Sequence, residues 1–284
     1  MSRRYLPLLT GLAALVLAGT ACAPEETPTA EAPASCAKED LNHKTAGKLT
    51  VATDKPAFEP WFSGDDPSNG KGFESAVTYA VAEELGFAAD EVTWTVQPFD
   101  SAYAPGAKKF DFDVNQISVT PERAKAVTFS DGYYTVRQAV VTLGDSKYAG
   151  ATTMAELKDA SIAVQVGTTS LRAVKEQIEP GEQPKVFNTQ IDAVNALKNE
   201  QVDLLVVDLP TAFYVTAAQI DGAEIVGQLP HRDGDTEHFG LLLERGNPLV
   251  TCLNEAIGAL KSSGELQQLE DKWLAAEGDA PLLK

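Results

Sequence analysis

Positive charge is scarce in this chain: 23 Lys and Arg stand against 41 Asp and Glu, giving a formal net charge of −18 over 284 residues. A nucleic-acid binder neutralises phosphates with clustered Lys and Arg, so that class is excluded. Histidine is scarcer still. His43, His231 and His238 lie far apart, no Cys-x-x-Cys occurs, and no metal site is expected. The patterns Gly-x-x-x-x-Gly-Lys-Ser/Thr, Gly-x-Gly-x-x-Gly and Gly-x-Ser-x-Gly are also missing, which leaves no nucleotide loop and no nucleophile elbow, and no cofactor is expected. Cysteine occurs three times, an odd number that asks for an explanation if the chain is exported.

The amino terminus suggests that it is. Arg3 and Arg4 precede an apolar run at residues 6–18, followed by Gly19, Thr20, Ala21 and Cys22. The run is shorter than the roughly 20 residues of a spanning helix and has the layout of a secretory signal, so residues 1–21 are expected to be removed. Small residues before Cys22 resemble the bacterial lipobox, although Gly19 stands where an aliphatic residue is usual. Cys22 is therefore expected to carry lipid and hold the protein at the outer face of the cytoplasmic membrane. Cys36 and Cys252 are left to pair in an oxidising compartment, the alternative being two unrelated thiols. Residues 23–35, rich in Pro, Thr, Ala and Glu, lack the apolar groups needed to offset ordering entropy and are expected to form a tether.

Beyond Lys48, strand and helix patterns alternate twice. Strands are expected at 49–53, 92–96 and 112–117, a helix at 73–85, a short helix capped by Thr120, and a long extended run at 133–143. The pattern restarts with the capping box Thr153–Glu156, a strand at 161–166, a helix reaching Gln177 and another around Ile191, Val194 and Leu197. The apolar segment 203–207 has the character of a parallel strand covered on both faces. A helix at 209–219, a strand at 239–243 and two terminal helices complete the chain. Two α/β lobes follow, with the runs 133–143 and 231–237 as hinge crossings. The expected division is signal 1–21, lipidated Cys22 and tether to 47, lobe one at 48–140 and 233–284, and lobe two at 141–232.

Polar residues gather where these strands end, the position at which open α/β sheets bind ligands. Asp54 ends the first strand, Asn115 to Arg123 another, Gly167, Thr168 and Thr169 form a strand-to-helix turn, and Asp208 ends the apolar strand. Arg123 and the turn at Gly167 suit a carboxylate, and Asp208 suits an ammonium. The alternative for Asp208 is to cap the helix that follows it, and for Arg123 a surface ion pair with Glu122 or a neighbour.

The segment Leu49-Thr50-Val51-Ala52-Thr53-Asp54, then Phe58-Glu59-Pro60-Trp61 and Gly72-Phe73-Glu74, resembles the opening of the family 3 solute-binding proteins, the polar amino-acid binders of ABC importers. The block Ile117-Ser118-Val119-Thr120-Pro121-Glu122-Arg123-Ala124 with Phe129-Ser130-Asp131-Gly132-Tyr133-Tyr134 is similar to that family's most characteristic stretch. Val164-Gln165-Val166-Gly167-Thr168-Thr169 and Asp203-Leu204-Leu205-Val206-Val207-Asp208 resemble its second-lobe motifs. The resemblance implies a periplasmic-binding-protein-like α/β fold of two lobes that close on a polar amino acid; Asp54, Glu59 and the acidic composition lean towards a basic or neutral one. It gives Arg123, Ser118 and the Thr168–Thr169 turn to the carboxylate and Asp208 to the ammonium. Phe58 and Trp61 would pack the ligand, with Asp54 near its side chain. Asn115 and Gln116 depart from the small or hydroxyl residues usual there, which bears on ligand identity. The implied partners are a membrane permease and a separate ATPase subunit; the protein itself would be a monomer without enzymatic activity. Competing readings are an arogenate or cyclohexadienyl dehydratase on the same fold, with Asp54 or Glu59 as the acid, and a ligand-sensing module.

Overall fold

The computed structural model describes Pro33, residues 35–231, 236–274 and 280–284. The expected signal, the Cys22 lipid site and most of the tether lie outside these residues.

Two five-stranded sheets organise the molecule. The first has the order β2-β1-β3-β10-β4, with β1 (Leu49–Thr53), β2 (Val92–Val96), β3 (Phe112–Asp113), β4 (Val127–Thr135) and β10 (His238–Glu244). β1 runs parallel to β2 and β3, while β10 is antiparallel to β3 and β4. The second sheet has the order β7-β6-β8-β5-β9, with β5 (Gln138–Leu143), β6 (Ile162–Gln165), β7 (Lys185–Phe187), β8 (Leu204–Asp208) and β9 (Ala223–Gln228). β6 is parallel to β7 and β8, and β5 is antiparallel to β8 and β9. In β8, Leu204 to Val207 are all buried, as its apolar run requires.

Helices cover the sheets. α1 (Phe73–Glu84), α6 (Leu249–Ser263) and α7 (Glu265–Leu274) pack on the first, burying Phe73, Val77, Val81, Leu253, Ile257 and Leu266 with Val51, Phe112 and Leu241. α2 (Phe99–Ala102) lies on its other face, where Ala102 joins Ala52, Phe110 and Leu242. The second sheet carries α3 (Thr169–Ala173), α4 (Gln190–Lys198) and α5 (Leu209–Tyr214); α3 and α5 each continue as a π-helical turn.

The structure corrects several expectations. The extended run 133–143 is two strands in different sheets, separated by Val136 and Arg137, so the second sheet begins at Gln138 and not after 140. Residues 280–284 also leave lobe one. Gln228 pairs in parallel with Leu282, Lys284 O accepts from Met154 N, and Leu283 is buried in the second core, where an apolar side chain gains more than in water. Residues 36–47 are no tether: Leu41 is buried in the first core, the Asp111 carboxylate accepts from Lys44 N and Thr50 N, and Cys36 is bonded to Cys252 of α6. The strand expected at 112–117 stops at Asp113, and Gln116 beyond it adopts a left-handed φ of 48°.

Candidate ligand-binding cleft

Both sheets point strand ends at a cavity of about 370 Å³ between the lobes, a size ordinary for small-molecule sites. From lobe one it is lined by Asp54, Phe58, Pro98, Asp100, Asn115, Gln116 and Arg123; from lobe two by Gln165, Thr168, Thr169, Asn188 and Asp208, among others. Eight of the eleven ligand-binding residues expected from sequence are thereby brought to one space.

Arg123 opens a 3-10 turn, Arg123–Lys125, just ahead of β4. Thr120 Oγ1 accepts from its backbone N–H at 3.2 Å, the capping expected from sequence. Its guanidinium donates from Nη1 to Ser118 O at 2.7 Å and from Nη2 across the cleft to Gly167 O at 2.9 Å. The rings of Tyr103 and Phe99 lie 4.7 and 5.4 Å from its Cζ, a cation–π stack that fixes the plane of the group. A guanidinium has five N–H donors, so donors remain for an anion in the cleft.

Asp208 ends β8 on the opposite wall. Its side chain makes no capping hydrogen bond to α5, so the capping alternative is not realised. Instead Oδ1 accepts from Gln138 Nε2 at 2.8 Å. Burial, with the nearby Glu237 charge, pushes its carboxyl up to about 8. Asp54 is half-buried; its oxygens accept from Lys55 N at 2.7 Å and Phe99 N at 3.2 Å, and burial outweighs these bonds to hold its carboxyl above the usual range. Thr168 caps α3 by accepting from Leu171 N at 3.1 Å.

Three expected residues do not line the cavity. Trp61 is fully buried, packed edge-on against Phe73, Tyr134 and Phe239, with its Nε1 donating to Thr211 Oγ1 of α5 at 3.1 Å. Its large apolar area drives it into the lobe-one core and its one donor finds a partner in the other lobe. Ser118 turns its hydroxyl behind the cleft wall, to Glu237 Oε1 at 2.6 Å. Gly167 offers only its carbonyl, to Arg123; at φ +72°, an added Cβ would stand 2.3 Å from Tyr103 Oη.

Sequence reasoning passed over Glu74, Gln138, Glu237 and Tyr103. Glu74 is fully buried at the amino end of α1 and accepts from Gln116 N at 2.7 Å, from Gln116 Nε2 and from the Tyr133 hydroxyl, so it holds the floor of the cleft in its left-handed turn. The signals for Gln138 and Glu237 were positional: both lie in the stretches expected to cross between lobes. Among the described residues no cluster of three His, Cys, Asp or Glu is arranged to hold a metal ion, and no helix is long and apolar enough to cross a membrane.

Comparison with known proteins agrees with this architecture. The arginine-binding extracellular protein ArtP of Bacillus subtilis is 24% identical over 86% of this chain and 92% of its own length. The L-cystine-binding protein TcyJ of Escherichia coli (strain K12) is 27% identical over 86% of this chain and 89% of its own. The solved structure of an ancestral arginine-binding protein bound to glutamine superposes with a TM-score of 0.68 at 30% identity, covering 81% of this chain and 98% of that one. These are binding proteins and not enzymes. The model of the bacterial extracellular solute-binding proteins, family 3, matches residues 49–276, and the chain belongs to that family.

Proposed function

We propose that this protein captures a basic amino acid outside the membrane and delivers it to an ABC importer. The observation that carries the reading is the pair of opposite poles, Arg123 and Asp208, facing one cavity from different lobes. An α-carboxylate suits the stacked guanidinium and an α-ammonium suits the carboxylate. Asp54 and Asp100 line the same cavity and favour a cationic side chain, while Lys55 there is paired with Asp65 at 3.6 Å. Relatives named for arginine support the same class. The amide groups of Asn115, Gln116, Gln165, Asn188 and Gln190, which also line the cavity, favour a neutral polar amino acid as the second reading.

Lobe closure would expel water and strengthen both charge contacts. The closed form would then dock on a permease served by a separate ATPase subunit. We infer that Cys22 carries the lipid that keeps the protein at the membrane; a Cys22→Ser variant should be released to the medium. A thermal-shift screen against the twenty amino acids tests the ligand, since a ligand that binds only the folded state raises Tm. L-Arginine and L-lysine should give the largest shifts. A screen in which no amino acid shifts Tm would overturn the reading.

A further inference from the structure

The two charged poles are joined by a chain of hydrogen bonds, through the main chain of Ser118 and the side chains of Ser118, Glu237 and Gln138, that runs by both passages between the lobes. Arg123 Nη1 donates to Ser118 O at 2.7 Å, and Ser118 Oγ donates to Glu237 Oε1 at 2.6 Å. Gln138 Nε2 donates to the same Glu237 oxygen at 3.3 Å and to Asp208 Oδ1 at 2.8 Å. Gln138 opens β5 directly after the first passage, and Glu237 immediately precedes β10 at the end of the second. Gln138 also reaches the helix that begins at the cleft: its Oε1 accepts from Ser170 Oγ at 2.5 Å, and its Nε2 lies 3.4 Å from Thr169 Oγ1. One amide nitrogen is thus shared among Asp208, Glu237 and Thr169. Gln138 is buried and absent from the wall of the cleft cavity, so it does not pack the ligand; with Thr169 and Glu237 it borders a separate small pocket of about 30 Å³.

We propose that Gln138 and Glu237 are positioning residues: Gln138 aims the Asp208 carboxylate at the ammonium, and Glu237 ties that carboxylate through the hinge to the Arg123 pole. The inference rests on the assignment of Arg123 and Asp208 to an amino-acid zwitterion. A buried carboxylate free to rotate would satisfy itself elsewhere, and an amide that holds one oxygen fixes the direction of the other. Glu237 also sets the charge that Asp208 feels. The other titratable or charged groups near Asp208 are Glu74 on α1, Tyr133 on β4 and Arg123, with Arg172 close to Arg123; Glu237 borders a small pocket with Arg137, Arg172, Glu176 and His231.

Calorimetric titration of wild type, Gln138→Met and Glu237→Gln separates this from a purely structural role. The probes are L-arginine with its deamino analogue 5-guanidinopentanoate, and L-glutamine with its deamino analogue glutaramate. Both substitutions nearly conserve volume, and matched thermal melts will report whether the variants fold. In Gln138→Met the preference for the amino acid over its deamino analogue should fall by about tenfold or more, the scale of a hydrogen bond to a charged group, while the analogue itself binds as before. In Glu237→Gln the pH at which amino-acid binding reaches half its plateau should move down by at least about half a unit, because one neighbouring negative charge is gone. Equal weakening of both members of a pair in Gln138→Met, or an unmoved pH midpoint in a folded Glu237→Gln, would overturn the inference. A wild type that binds none of the twenty amino acids would instead overturn the zwitterion assignment.

Discussion

Asp208 sits among other carboxylates, and that sets how its affinity for an ammonium responds to pH. Its carboxyl is pushed up to about 8, so at pH 7 it is mostly protonated, and an arriving ammonium favours the charged form. Binding of L-arginine should therefore tighten by up to tenfold per pH unit as pH rises toward 8 and then level off. Titrations in buffers of different ionisation heat should show a proton released on binding, and flat affinity between pH 6 and 8 would argue against Asp208 as the ammonium partner. Arg123 supplies the other pole. Its replacement by alanine should cost at least about 1.5–3 kcal/mol of binding, and calorimetry showing unchanged affinity would remove it from the site. Trp61 should behave differently: being core, its truncation should lower Tm sharply, with Trp61→Ala costing about 3–5 kcal/mol.

The strand-to-helix turn at Gly167 shows how an element boundary can control the whole cleft. Backbone at φ +72° disfavours any side chain, and Tyr103 from the opposite lobe already occupies the space. Gly167→Ala should hold the lobes apart and weaken amino-acid binding, and adding Tyr103→Phe should recover part of the loss, since the clash at 2.3 Å is with the hydroxyl alone. Small-angle scattering of the two variants, with and without L-arginine, would check this. Elements with a buried apolar stripe, such as α1, α6 and β8, were legible in the sequence because their periodicity mirrors burial. β7 and β9 were not: both are edge strands, and exposed or half-exposed side chains break the alternation that marks a strand. The cleft was half legible on the same grounds. Charged residues at strand ends stood out, whereas Gln138 and Glu237 gain meaning only when two distant passages come together in space.

At the scale of the molecule, three buried acids, Glu74, Asp113 and Asp208, give stability an uncommon pH dependence; burial, with the neighbouring Glu74 charge, also holds the Asp113 carboxyl well above the usual range. Glu74 is pushed up to about 7 by burial, against the bonds from Tyr133 and Gln116, and Asp208 to about 8. A carboxyl raised in the folded state adds stability that is complete below its unfolded value and is lost as pH climbs through the folded one. For Glu74 this window is roughly pH 4.5–7 and the loss is of order 3 kcal/mol. Tm should fall across it in wild type and fall less in Glu74→Gln; parallel profiles would contradict the assignment. The Cys36–Cys252 bond spans 216 residues, and a Cys36→Ser, Cys252→Ser double variant should lose about 2–5 kcal/mol by chemical denaturation.

That bond also decides where a mechanical load enters the protein. Residue 35 and everything before it connect to the fold beside a covalent link into α6, which packs on α1 and α7 within lobe one. Tension applied from the amino-terminal side is passed into α6 at Cys36, and β1, which begins at Leu49, is shielded from being peeled out of its sheet. Lobe one would be the stationary half under such a pull, and lobe two the half left to move if the cleft closes.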